Sequence, residues 1–127
     1  MAMTPFIGIA HASVIVADTQ RALAFYRDVL GLPELPDRPN LGYPGAWLEV
    51  GAQQIHLLEL PNPDPTSGRP AHGGRDRHTA IHVRDIAPLR VALDSAGIEY
   101  TLSRSGRAAL FCRDPDGNAL EFIQSAG

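Results

Sequence analysis

Four side chains able to bind a metal ion arrive in this sequence as two equivalent pairs. His11 opens the alternating run His11–Asp18, and His78 opens a second run, His78–Asp85. Downstream of each comes another alternating run with a metal-competent residue in the same place, Ile55-His56-Leu57 and then Leu120-Glu121-Phe122. The offsets within the pairs, 45 and 43 residues, nearly match. Imidazole nitrogens and one carboxylate oxygen suit a borderline divalent ion such as Ni, Co, Zn, Mn or Fe(II). Four protein ligands on a six-coordinate ion leave two positions for water or substrate oxygens, as a catalytic site requires. The expected cofactor is one divalent ion per site, held by His11, His56, His78 and Glu121.

Strand parity supports this grouping, because alternate residues of a strand point to opposite faces. His11 shares a face with Ser13 and Ile15, His56 with Gln54 and Leu58, His78 with Ala80 and His82, and Glu121 with Ala119 and Ile123. The opposite faces carry Val14 and Val16, Ile55 and Leu57, Ile81 and Val83, Leu120 and Phe122, which suit packing against helices. The small neighbours Ser13, Ala80 and Ala119 leave room above the sheet. His82 fits either an acid/base group beside the metal or a packed polar residue. His72, alone in a glycine-rich stretch, reads as a solvated loop residue, and Arg84, Arg104 and Arg107 as solvated charges.

The elements that position these residues come in the same order twice. A strand over about 7–16 leads to Asp18, an N-cap for a helix from about Thr19 to Leu30, which Gly31 ends. Short strands are expected over 32–35, 46–50 and 53–60, with Gly51-Ala52 as a tight turn. The second copy has a strand over 78–84, Asp85 as N-cap, a helix stopped by Gly97, and strands near 99–104, 108–112 and 118–124. Asp114-Pro115-Asp116-Gly117-Asn118 reads as a hairpin turn, with proline setting φ and glycine taking the left-handed position. Each half is β-α-β-β-β. The expected fold class is α+β, with residues 1–127 forming a single domain: module 1 over about 7–60, a linker over 61–77 and module 2 over about 78–124. The linker, rich in proline and glycine, is long for a compact domain and reads as a plain connection or a lid. Its Arg69, Arg75 and Arg77 are candidates for an anionic substrate.

The bulk composition excludes other classes. A chain with 44% hydrophobic and 20% charged residues is neither disordered nor membrane-spanning. The net charge of −3, without a basic tail, argues against a nucleic-acid partner. Cys112 is the single cysteine, so no internal disulfide forms and a reducing cytoplasm fits best. All eleven basic residues are arginine, which excludes Schiff-base chemistry on lysine.

The sequence resembles the vicinal oxygen chelate superfamily of glyoxalase I, extradiol dioxygenases and bleomycin-resistance proteins over almost its whole length. The resemblance is carried by His11…Asp18, Ala24-Phe25-Tyr26-Arg27-Asp28-Val29-Leu30-Gly31-Leu32, His78…Asp85 and Asp114-Pro115-Asp116-Gly117-Asn118…Glu121. It implies paired βαβββ modules in a curved mixed sheet with a metal-binding cleft, a small-molecule substrate and a homodimer. Small glyoxalase-I-like proteins are the nearest likeness, implying an isomerase or lyase that works through a metal-chelated enediolate with Glu121, or Glu121 and His82, moving the proton. Bacterial glyoxalase I typically has glutamate where this chain has His56. That departure raises an Fe(II) extradiol-type dioxygenase, in which His11, His78 and Glu121 hold the metal and His56 is the acid/base. A ligand-sequestering resistance-type binding protein is the remaining alternative.

Overall fold

The computed structural model describes residues 4–125. Seven strands and two α-helices follow the repeated order: β1 (His11–Val16), α1 (Thr19–Leu23), β2 (Gly45–Val50), β3 (Gln53–Glu59), β4 (His78–Val83), α2 (Ile86–Ser95), β5 (Tyr100–Leu102), β6 (Ala109–Arg113) and β7 (Ala119–Gln124). They form two small mixed sheets, β1-β3-β2 and β4-β7-β6-β5. In each, the first strand of the half runs parallel to the last, and the strand before the last pairs antiparallel with it. Among the described residues no helix is long and apolar enough to cross a membrane.

The helix starts follow from their caps. The Asp18 carboxylate accepts from the Arg21 N–H and the Asp85 carboxylate from the Ala87 N–H, each satisfying a donor that the first turn leaves free. Beyond Leu23 the first helix widens into a π-helical stretch, Ala24–Val29, in which the Leu30 N–H reaches back five residues to the Phe25 carbonyl. Phe25 and Tyr26 are both buried there, with their rings edge to face at 4.9 Å. Gly31 (φ +80°) then ends the helix in a conformation few side-chain-bearing residues adopt.

Two expected strands are shorter than their sequence patterns. β1 begins at His11 because its partner begins at Gln53, so residues before Ala10 would face the Gly51-Ala52 turn and find no ladder. The stretch 32–35 makes one bridge, Glu34 opposite Leu48, where Pro33 has no N–H to give and Pro36 follows closely. The aliphatic faces meet in one core that includes Val16, Leu48, Ile55 and Leu57 from the first half and Ile81, Leu93, Leu110, Leu120 and Phe122 from the second.

The Asp114–Asn118 turn clasps the two halves together. Tyr26 Oη donates to Asp114 Oδ2 at 2.7 Å, Asn118 Nδ2 donates to the Ile15 carbonyl at 3.1 Å, and the Ala17 N–H donates to Asp116 Oδ1 at 3.0 Å. Asp114 also accepts the Asp116 and Asn118 N–H groups. Burial raises its pKa despite these donors, and burial together with the adjacent Asp114 pushes that of Tyr26 well up.

Candidate metal centre

The near-equality of the two sequence offsets has a geometric cause. In the first sheet His11 pairs with Gln54 and Ser13 with His56; in the second His78 pairs with Ala119 and Ala80 with Glu121. His56 and Glu121 therefore each lie one same-face step beyond the residue opposite their histidine. The two-residue difference in sequence offset lies in the length of chain between the paired strands, and the relative placement within each pair is the same. One residue of slip in either ladder would turn the ligand into the core.

Within the first pair the imidazoles stack, with His11 and His56 centroids 3.9 Å apart. Trp47 covers the other side of His56 at 4.3 Å with its ring nearly parallel. This placement follows from the Gly51-Ala52 turn: with Val50 opposite Gln53, counting back along the hairpin sets Trp47 opposite His56. Gln54 Oε1 lies 2.7 Å from His56 Nε2, so an Nε2–H donates to it and Nδ1 is left with its lone pair. Burial, then the neighbouring His11 and Arg38, lowers the His56 pKa and favours the neutral, metal-competent ring.

The second pair is tighter. His78 Nε2 is 3.1 Å from Glu121 Oε1, and the Glu121 side chain is only 4% exposed. His78 Nδ1 lies 2.8 Å from the Asp76 backbone carbonyl, which can only accept, so Nδ1 carries a proton. A neutral ring then directs the Nε2 lone pair at a carboxylate oxygen, acceptor against acceptor. Either a proton or a metal cation between them resolves this contact. A backbone carbonyl orienting a histidine by its far nitrogen is the usual support for a ligating imidazole. The donor set and its orientation fit a divalent ion.

Asp76 is itself fixed. Arg113 Nη1 donates to its carboxylate at 2.8 Å and Arg69 Nη1 at 3.1 Å; these guanidinium contacts, Arg113 first, hold its pKa down at about 2. Arg113 also donates to the Pro70 and Gly117 carbonyls, and Arg77 pairs with Asp64 at 2.7 Å. The linker is thereby strapped to the second sheet. Arg69 and Arg77, expected as candidates for substrate, are committed to these carboxylates, although both line a cavity of about 180 Å³ with Ser13 and His78. A larger concavity, about 790 Å³, lies between the end of α2, β5 and the linker; its lining includes Phe111, whose ring meets that of His78 edge-on.

Two residues depart from their sequence reading. His72 packs edge-on against Phe111 and its Nδ1 is 2.7 Å from Thr101 Oγ1, so it is not a solvated loop residue. Arg107 reaches from the β5–β6 loop to Glu121 Oε2 at 3.1 Å; nothing periodic in the sequence announced it. His82, which fitted either of two roles, places Nδ1 in hydrogen-bond contact with Ser125 Oγ along the same diagonal by which His78 meets Glu121. The two pairs also remain two: among the described residues no group of three or more His, Cys, Asp or Glu side chains is close enough to hold one ion.

Comparison with known proteins places the chain among relatives. A family model described as "Glyoxalase/Bleomycin resistance protein/Dioxygenase superfamily" matches residues 8–122. A lactoylglutathione lyase from Haemophilus influenzae is 33% identical over 128 residues, covering 92% of each chain. A glyoxalase family protein from Bacillus anthracis superposes with a TM-score of 0.78 at 29% identity, over 97% of this chain and 99% of that one. A fosfomycin resistance protein from Listeria monocytogenes, solved with Mn(II), shares the fold at a TM-score of 0.74 and 17% identity, over 95% and 94% of the two chains.

Proposed function

The chain belongs to the glyoxalase/bleomycin resistance/dioxygenase superfamily, and from that premise we propose that it is a glyoxalase-I-like isomerase or lyase that uses one divalent metal ion and acts on a small molecule with two neighbouring oxygens. The observation that carries this reading is the His78–Glu121 contact, where a histidine proton-locked at Nδ1 turns its Nε2 toward a buried carboxylate. When bound, the metal would supply Lewis acidity to the substrate oxygens and so acidify the adjacent C–H. Glu121 is the group that takes that proton and returns it to the neighbouring carbon, its low exposure keeping water from the exchange. His78, His11 and His56 hold and orient.

Because the two pairs stay apart within one chain, the reading places a complete ligand set at the meeting of His11 and His56 of one copy with the His78–Glu121 pair of a second. The apolar and exposed Phe6, Ile7 and Ile9, just before His11, give that second copy a surface to cover. Metal content by mass spectrometry tests this: about one ion per chain after reconstitution, and hemithioacetal isomerisation with Ni, Co or Zn, support it. Glu121→Gln should keep part of the metal and lose turnover; undiminished turnover overturns the assignment. No metal under any condition favours a ligand-sequestering protein instead.

One observation favours a second reading. His56 Nε2 is already engaged with Gln54, which suits an acid/base residue beside a three-ligand Fe(II) site made of His11, His78 and Glu121. Oxygen uptake on catechol addition to the Fe(II)-loaded protein, with metal retained in His56→Ala, would select this extradiol-type activity.

A further inference from the structure

We propose that Arg107 is a displaceable counter-ion of the metal site: it neutralises Glu121 while the site is metal-free and must leave that carboxylate when the ion arrives. This inference rests on the metal-site reading above. A carboxylate buried to the degree of Glu121 needs a compensating charge, and Arg107 Nη2 supplies one at 3.1 Å. The two carboxylate oxygens are divided, Oε1 facing His78 and Oε2 facing Arg107. A dication ligated by His78 Nε2 and Glu121 would face a guanidinium on the same carboxylate, and the two cations would repel.

The loop that carries Arg107 is built to let go. Its base is pinned where the Ser103 N–H meets the Ala109 carbonyl, but between them Arg104, Ser105, Gly106 and Arg107 are exposed and held by local contacts among Ser103 and Ser105. Gly106 at φ +86° gives the tip a turn that other residues enter at a cost. The Arg107 side chain is 57% exposed, so its guanidinium can move into water with little lost packing. Arg113 is the contrast: 24% exposed and tied to Asp76, Gly117 and Pro70, it cannot leave. Once displaced, Arg107 stands as a free cation at the rim of the site, positioned for an anionic group of the substrate.

The test is direct titration with Ni(II), and separately Zn(II), by calorimetry on the full-length wild type, Arg107→Ala, Arg107→Gln and each change combined with Glu121→Gln. Removing the competing charge should tighten metal binding about tenfold, and the gain should vanish in the Glu121→Gln background, since contacting residues couple. The metal-free Arg107→Ala protein should melt lower than wild type while its metal-induced rise in Tm is larger. Equal affinity in wild type and Arg107→Ala overturns the inference and leaves the metal-site reading standing, as does a gain that persists without Glu121. Weaker binding in Arg107→Ala also overturns it, by making the guanidinium a positioner of Glu121. Metal binding by none of the proteins overturns the inference together with the reading beneath it.

Discussion

Replacing Tyr26 with Phe removes one oxygen and leaves the ring that fills the core. That oxygen donates at 2.7 Å to Asp114, a carboxylate 5% exposed, from a tyrosine with no exposure at all. A hydrogen bond to a charged acceptor contributes about 1.5–3 kcal/mol, more than a neutral one, because its loss leaves part of a buried charge uncompensated. Asn118 Nδ2 still serves the same Oδ2 at 2.8 Å, so the lower half of that range is expected. For a chain of this size the loss lowers Tm by roughly 5–10 °C. Urea denaturation at pH 7 should show a lower midpoint with an unchanged slope, since the folded surface is the same. The pKa of Asp114 is raised by burial, so the neutral acid forms early as pH falls. The gap between the proteins is therefore full where Asp114 is ionised and narrows as pH falls through its raised pKa. Tyr100→Phe is the control: its hydroxyl has only exposed contacts, at 3.3 and 3.4 Å, and its loss should cost less than about 0.5 kcal/mol. A Tyr26→Phe protein as stable as that control would refute the clasp as an energetic contact between the halves.

Three further outcomes are expected. The Asp76 pKa is depressed to about 2, so its stabilising contribution is complete above its ordinary 3.8 and disappears as pH falls towards 2; the stability gap between wild type and Asp76→Asn, followed by urea midpoints, should close over that window, and a constant gap would contradict the strap. Trp47 lies flat on His56 at 4.3 Å, so Co(II) or Ni(II) should quench its fluorescence in wild type; the same quenching in His56→Ala would separate the metal from this ring stack. If the proposed dimer forms, Phe6→Ser with Ile9→Ser should shift it towards monomer in sedimentation at micromolar concentration and lower metal content with it; an assembly state equal to that of the wild type would show that these exposed side chains cover nothing.

Much of this arrangement could be read from alternation alone. Parity separated Ile55, Leu57, Leu120 and Phe122, all now in the core, from His56 and Glu121 on the opposite face. The turns at Gly51-Ala52 and Asp114–Asn118 follow from residues that accept left-handed or fixed backbone angles. What alternation does not contain is the contact between elements distant in sequence. The Tyr26–Asp114 bond spans 88 residues, and each partner alone reads as a helix aromatic and a turn carboxylate. Arg107 lies on a non-periodic loop, where sequence gives charge without direction. His72 looked solvated because its glycine neighbours suggest a mobile loop, yet those glycines let the chain pack closely: a Cβ on Gly73 would sit 3.3 Å from that of Ala119. The widened turn at Ala24–Val29 left no trace in the spacing of its apolar residues.

The strap and the clasp together have a consequence for connectivity. The peptide chain between Asn62 and Ser67 carries no ligand, and the strap ties its downstream side to the second sheet through Arg69, Asp76 and Arg113. The two halves hold each other through Tyr26, Ile15 and Ala17 against the Asp114–Asn118 turn, and through a shared core, none of which depends on that stretch being unbroken. Residues 1–66 and 67–127, expressed as two polypeptides, thus carry complementary surfaces, with Asp64 kept opposite Arg77 across the cut. They make a natural pair for fragment complementation, in which the cut lies in the covalent link and the recognition lies in the fold.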